Sequence, residues 1–222
     1  MASACAVAAC AILRAIAGRG VILLAREVSM AHSPRILAFA GSTREGSFNK
    51  KLVRFAAEAA RAAGGEVTLV DLRDYPMPLF DEDEEKASGL HPAARKWKDV
   101  LLAHDALLIS SPEYNSSISG VLKNAIDWAS RPAPGEAPLA CFDGKVAGLL
   151  SASPGQLGGL RGLVTVRSIL GNIKVLVLPD QVTVPRANEA FDDAGGLKDP
   201  KQKKAVESLA AKLVQVTGKL RG

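Results

Sequence analysis

The stretch Gly41-Ser-Thr-Arg-Glu-Gly46-Ser47-Phe48-Asn49 follows the apolar run Ile36-Leu37-Ala38-Phe39 and precedes a pattern of helical period. Its glycines keep the GxxxxG spacing of a phosphate loop, but no Lys-Ser/Thr pair follows to grip a γ-phosphate and its magnesium. The GxGxxG that receives a dinucleotide pyrophosphate is missing too. What remains is a turn rich in hydroxyls and amides. Ser42, Thr43, Ser47 and Asn49 can donate hydrogen bonds, and the start of the next helix adds backbone N–H groups and partial positive charge. That set suits one terminal phosphate monoester held without metal. The competing reading is structural: Ser47 or Asn49 simply caps the helix.

Two later loops have unusual chemistry of their own. In Ser110-Ser-Pro112-Glu113-Tyr114-Asn115-Ser-Ser-Ile-Ser119-Gly120, Pro112 stops a strand and stiffens the turn. A stiff turn can hold backbone amides and carbonyls along the edge of a flat heteroaromatic ring, with Tyr114 as a neighbouring surface. The alternative is a strand-ending turn in which Ser119 caps a helix and Tyr114 only packs. In Ser151-Ala152-Ser153-Pro-Gly155-Gln-Leu-Gly158-Gly159-Leu-Arg161-Gly162, four glycines fall within eight residues. A backbone so built approaches something closely or adopts positive φ. A flat ring meets that need; an ordinary flexible loop is the alternative.

These loops need a scaffold that brings them together, and the rest of the chain supplies one. Short apolar runs at Ile36–Ala40, Val67–Leu72, Ala106–Ser111, Val146–Ser151 and Ile173–Leu178 read as strands. Helical period is seen at Asn49–Ala63, Pro92–Ala103, Gly120–Trp128, Gly159–Leu170 and Pro200–Leu220. Alternation of this kind predicts an α/β fold with a doubly wound, five-stranded parallel sheet. With the order 2-1-3-4-5, the loops after strands one, three and four meet over one crevice beyond the carboxyl ends. The charge run Asp81–Glu85 is expected as a solvated loop.

With 222 residues, 48% of them hydrophobic, the chain suits one well-buried domain, 34–222, after an extension at 1–33. The net charge of +5 is modest, aromatics are 5%, and the basic residues are scattered, which argues against a nucleic-acid partner. Cys5 and Cys10 lie in the extension and Cys141 in the body, with neither a disulfide framework nor paired ligand spacing; a cytoplasmic setting is expected. The extension is Ala-rich and apolar, interrupted by Arg14, Arg19 and Arg26, so it has no run able to span a bilayer. A secretory signal would place positive charge first. An early start before Met30, or a leader, is the expectation for this segment. His32, His91 and His104 stand apart from the three loops and assemble no Ser-His-Asp or Cys-His set.

Taken together and in order, GSTREGSFN, SPEYNSSISGVLKNAIDW and SASPGQLGGLRG resemble the NADPH-dependent FMN reductase family of flavodoxin-like proteins, which includes quinone, chromate and azo-compound reductases. The resemblance runs from about Arg35 to the region of Asp199. It implies that Ser42, Arg44, Ser47, Phe48 and Asn49 surround the phosphate of FMN. It likewise puts Pro112, Glu113, Tyr114 and Asn115 against the isoalloxazine, with Ala152, Ser153 and Gly155 closing the other edge. By the same resemblance, hydride passes from NADPH or NADH through FMN to a quinone, flavin, azo or metal-oxyanion acceptor, in a homodimer or homotetramer with the flavin near the subunit boundary. No catalytic side chain is expected, because a bound flavin carries the chemistry itself. Ser119 departs from the family, where proline commonly precedes the glycine, and is expected to loosen the second loop. Arg44 and Arg161 are candidates to meet a nucleotide 2′-phosphate. Two other readings stand beside this one. A flavodoxin-type carrier of single electrons would ordinarily be strongly acidic, and a dinucleotide domain using Asp71 lacks its glycines.

Overall fold

Strand β1 (Arg35–Ala40) lies between two parallel neighbours, β2 (Glu66–Val70) and β3 (Ala106–Ser110), and the sheet continues through β4 (Val146–Ala152) to β5 (Leu176–Val184). The sheet is parallel throughout, as the alternation predicts, and its order is the expected β2-β1-β3-β4-β5. This computed structural model describes residues 33–221. The expectations for residues 1–33 therefore lie outside the described residues, apart from Ser33.

Helices cover both faces of the sheet, so β3 and β4 are buried at every position and read as continuous apolar runs. Successive side chains still point to opposite faces. Ile36, Ala38 and Leu108 enter a core shared with α1 (Phe48–Ala62) and α7 (Pro200–Arg221). Leu37, Phe39, Leu107 and Ile109 enter a second core, built on α3 (Pro92–Leu102), α4 (Gly120–Ser130) and α5 (Leu160–Asn172). Trp97 of α3 is 2% exposed, meets Phe39 edge-on at 5.1 Å, and donates its indole N–H to the Ala125 carbonyl at 3.0 Å, so its polar atom has a partner in the apolar core.

The last strand differs from its expected place at Ile173–Leu178. Ile173 and Lys174 form the turn after α5, with Lys174 at φ 71°, and the strand runs on through Pro179-Asp180 to Val184. Proline and aspartate normally end a strand, but β5 is an edge. Its register with β4 shifts between Ala147 and Leu149, so Pro179 sits where no ladder N–H is required. The run Asp81–Glu85 is also corrected: α2 (Glu82–Ser88) is helical, with Asp81 accepting the Asp83 N–H at 2.8 Å. Acids suit a helix N-terminus, and since no residue of α2 is buried, the solvated part of the expectation stands. β2 ends at Val70, and Leu72–Asp74 forms a one-turn 3-10 helix capped by Asp71. The four-residue helix α6 (Ala187–Ala190) has no counterpart in the expected elements.

Cys141 is buried and free. Burial pushes its thiol up to about 11.

Candidate functional site

β1 ends at Ala40, and the chain passes so close to α4 that a Cβ on Gly41 would lie 2.9 Å from Leu122 Cδ2. The loop then climbs to α1. Ser47 is the N-cap, its Oγ accepting the Lys50 N–H at 3.4 Å, and Ser42 Oγ accepts the Arg44 N–H at 3.3 Å. Both hydroxyls keep a hydrogen to donate. Among the described residues, the N–H groups of Thr43, Glu45, Gly46, Ser47, Phe48 and Asn49 have no protein acceptor. Behind them stands a 15-residue helix with no acidic residue in its first turn. Such a terminus attracts an anion. Arg44 closes the rim, its guanidinium carbon 5.5 Å from the centre of the Phe48 ring.

The carboxamide of Asn49 is largely committed elsewhere. Its Nδ2 donates to the Ala152 carbonyl, and its Oδ1 accepts from the Ala152 N–H and from Ser110 Oγ. Asn49 therefore builds the cleft floor, and its backbone N–H is the group that faces the anion cradle.

In the second loop, Tyr114 and Ser117 exchange N–H···O bonds of 3.0 Å around Asn115 and Ser116, at φ 51° and 66°. Both turn residues are left-handed, the geometry a two-residue hairpin favours and asparagine tolerates. Tyr114 is thereby held out at the rim, 55% exposed. Glu113 turns to the third loop: Oε1 accepts from Arg161 Nε at 2.8 Å and Oε2 from the Gly162 N–H at 3.1 Å. Gly159, the N-cap of α5, has no side chain to cap with, and Glu113 supplies the carboxylate from another loop. Burial works against its charge, but the Gly162 N–H and the Arg161 guanidinium outweigh it and hold the carboxyl below the usual range. Ser119 ties the loop rather than loosening it. It caps α4 by accepting the Leu122 N–H at 3.2 Å and donates to the Gly41 carbonyl at 2.6 Å.

Three of the four glycines of the third loop, Gly158, Gly159 and Gly162, approach protein closely, whereas a Cβ on Gly155 would make only ordinary contact with Ser153 Oγ at 3.7 Å. A Cβ on Gly159, at φ 91°, would lie 1.9 Å from Ser151 Oγ, and one on Gly158, at φ 60°, 2.8 Å from Pro185 N. Gly162 packs on Glu113, where a Cβ would come within 3.3 Å of the Glu113 Cβ. The ring-approach reading of these three glycines is corrected accordingly.

The three loops enclose a cleft of about 230 Å³. Ser42, Arg44, Ser47, Phe48, Asn49, Pro112, Glu113, Tyr114, Ala152 and Ser153 line it, joined by Pro154, which sequence reasoning passed over. Asn115 is at the hairpin tip and Gly155 behind Ser153, and neither forms part of the wall. His91 caps α3 and His104 Nδ1 donates to the Val100 carbonyl, both away from the cleft, while His32 is outside the described residues. Asp71 is engaged by Lys50 Nζ at 2.5 Å and the Arg73 N–H at 3.0 Å and forms no part of the cleft wall.

The family described as NADPH-dependent FMN reductase matches residues 34–189. The chain belongs to that family. An NAD(P)H-dependent FMN reductase of Pseudomonas aeruginosa is 37% identical over 194 residues, spanning 87% of this chain and 100% of the relative. An NADPH:quinone oxidoreductase of Arabidopsis thaliana is 31% identical over 193 residues, 85% of this chain and 94% of the relative. The flavoenzyme NAD(P)H:(acceptor) oxidoreductase of Paracoccus denitrificans superposes with a TM-score of 0.69 at 26% identity, covering 84% of this chain and 98% of that one. An archaeal flavodoxin, at 9% identity and a TM-score of 0.52, shares the fold alone. Membership makes this chain an NAD(P)H-dependent oxidoreductase that works with FMN.

Proposed function

We propose that FMN sits in this cleft, phosphate on the N-terminus of α1 and ring between the second and third loops, and that the chain passes electrons from NAD(P)H to a small-molecule acceptor, a quinone first. The observation that carries the reading is the set of unused N–H groups at Thr43 and at Glu45 to Asn49, with no acid in the first helical turn. One phosphate monoester satisfies such a set, and no metal is required to do so. In this reading Ser42, Ser47 and Arg44 complete the phosphate site. Pro112, Glu113, Tyr114, Asn115, Ala152, Ser153 and Gly155 belong to the loops that flank the ring.

When bound, FMN supplies the hydride chemistry between nicotinamide and acceptor. The chain's own part is placement. Asn49, Ser110 and Ser151 fix the floor through buried hydrogen bonds, and the Glu113 clasp keeps the second and third loops at one spacing. Exposed Tyr114 offers an aromatic face beside the opening, suited to a flat second substrate. Relatives named quinone reductases, including one from Pseudomonas putida at 34% identity over 161 residues, support that acceptor class. Free flavins, azo compounds and metal oxyanions are the competing acceptors in a substrate panel.

The proposal extends to setting and assembly. Among the described residues no helix is long and apolar enough to cross a membrane. A cytoplasmic setting is supported by the free, buried thiol of Cys141. Self-association as a homodimer or homotetramer is supported by Leu157, Leu160 and Val164, exposed apolar residues at the start of α5.

Heat-released cofactor from the purified protein is expected to chromatograph as FMN; FAD alone would refute the site. Anaerobic addition of NADPH is expected to bleach the flavin absorbance with no second protein present. Failure with both NADPH and NADH would move the chain to the electron carriers.

A further inference from the structure

Arg73 stands outside the cleft, on the one-turn helix Leu72–Asp74 after β2, and lines none of its walls. Its guanidinium nevertheless grips the first loop. Nε and Nη2 donate to the Thr43 carbonyl at 3.1 and 2.6 Å, and Nη1 donates to Glu45 Oε1 at 2.7 Å. The turn that carries Arg73 is itself anchored, because Asp71 accepts both the Arg73 N–H at 3.0 Å and Lys50 Nζ of α1 at 2.5 Å. A planar fork on one carbonyl fixes an orientation, which a point charge does not.

Across a trans peptide, the carbonyl and the following N–H point in opposite directions. A Thr43 carbonyl held by Arg73 therefore sets the Arg44 N–H to the other side, where Ser42 Oγ accepts it at 3.3 Å. Ser119 does the same two peptides earlier by donating to the Gly41 carbonyl at 2.6 Å. Alternate peptides of the loop are thus gripped from two different elements. Glu45 is the loop's one carboxylate. Left alone it would repel an anion on the neighbouring N–H groups, and Arg73 both compensates its charge and holds it.

We infer that Arg73 is a positioning residue for flavin phosphate: it acts through Thr43 and Glu45, without touching the ligand, and sets the preference for FMN over riboflavin. This rests on the FMN reading given above. Riboflavin carries the same ring without the phosphate, so it separates an effect on the loop from an effect on the fold.

The test titrates the full-length chain, freed of flavin, and its Arg73→Ala variant with FMN and with riboflavin, following flavin fluorescence. The parent is expected to prefer FMN. Arg73→Ala is expected to bind FMN about tenfold more weakly, the low end for hydrogen bonds to a charged group because the guanidinium is half exposed, and riboflavin unchanged. Equal weakening toward both flavins, or no weakening, overturns the inference. A parent that does not prefer FMN overturns the phosphate-site reading itself, and this inference with it. The double variant Arg73→Ala/Glu45→Gln separates the two contacts: a persisting loss assigns the effect to the Thr43 carbonyl, whereas full recovery assigns it to the Glu45 charge and overturns positioning. If Arg73→Ala does not fold, Arg73→Lys, which keeps the charge and loses the fork, is read by the same ratio.

Discussion

Asn49 treats Ala152 as a neighbouring strand would: its Oδ1 accepts the Ala152 N–H at 2.9 Å and its Nδ2 donates to the Ala152 carbonyl at 2.8 Å. Ser110 Oγ donates to the same Oδ1 at 2.8 Å, so one carboxamide joins α1, β3 and β4. Asn49→Ala leaves these buried groups unpaired and is expected to cost about 2–4 kcal/mol of stability. Ser47→Ala removes only a cap and costs about 1 kcal/mol, while weakening FMN binding. Urea unfolding of the flavin-free variants, set beside their FMN affinities, distinguishes the two; equal stability losses would show that Asn49 is no keystone.

Glu113 makes the clasp sensitive to acid. Its folded-state pKa lies below that of an unfolded carboxyl, about 4.3. The clasp therefore stabilises the protein fully above that range, and its contribution is lost as the pH falls through the lowered value. Glu113→Gln is expected to be less stable than the parent at neutral pH, with the gap closing as the pH falls below the ordinary carboxyl range of about 4.3. Thermal melts across that interval check it, and a gap independent of pH would remove the charge from the explanation.

Two glycines should respond in opposite ways to one added methyl group. Gly159→Ala forces a left-handed residue into the space of Ser151 Oγ and is expected to cost about 2 kcal/mol or more. Gly120, at the first position of α4, has nothing within 4 Å of a built Cβ. Gly120→Ala is expected to stabilise by about 0.5–1 kcal/mol through reduced freedom of the unfolded chain. Melting temperatures of the pair are the measurement.

In the proposed function, nicotinamide and acceptor use the same opening by Tyr114 in turn. Initial rates with NADPH and a quinone are then expected to give parallel double-reciprocal lines, the pattern of ping-pong turnover. Intersecting lines would require room for both substrates at once and a different account of the opening.

Much of this arrangement is legible in the sequence, because it is written locally. The parallel, doubly wound sheet follows from alternating periods, and Ser42, Ser47, Pro112 and Ser153 stand in loops whose composition already marks them. Less visible were roles that depend on a distant partner. Asn49 meets Ala152 from 103 positions away, and Arg73 meets Thr43 from 30. As a type, asparagine at a helix start reads as a cap or a ligand, and arginine in a charged turn reads as solvated. The glycines of the third loop show the same limit: their need for close approach was readable, but not that Ser151 and Pro185 were what they approach. Strand β5 outruns its expected length because Pro179-Asp180, which ordinarily ends a strand, is tolerated at a bulged edge.

That bulged edge governs how molecules of this kind can meet. A sheet margin with regular, unpaired N–H groups invites another strand and can grow from copy to copy. Here Pro179 offers no N–H at the register shift, and Asp180, paired with Lys212 of α7, adds a charge to the margin. Continuation of the sheet across β5 is therefore disfavoured, which leaves side chains on helices and loops, whose identity can change without disturbing the strands beneath, as the means for copies to associate on this side.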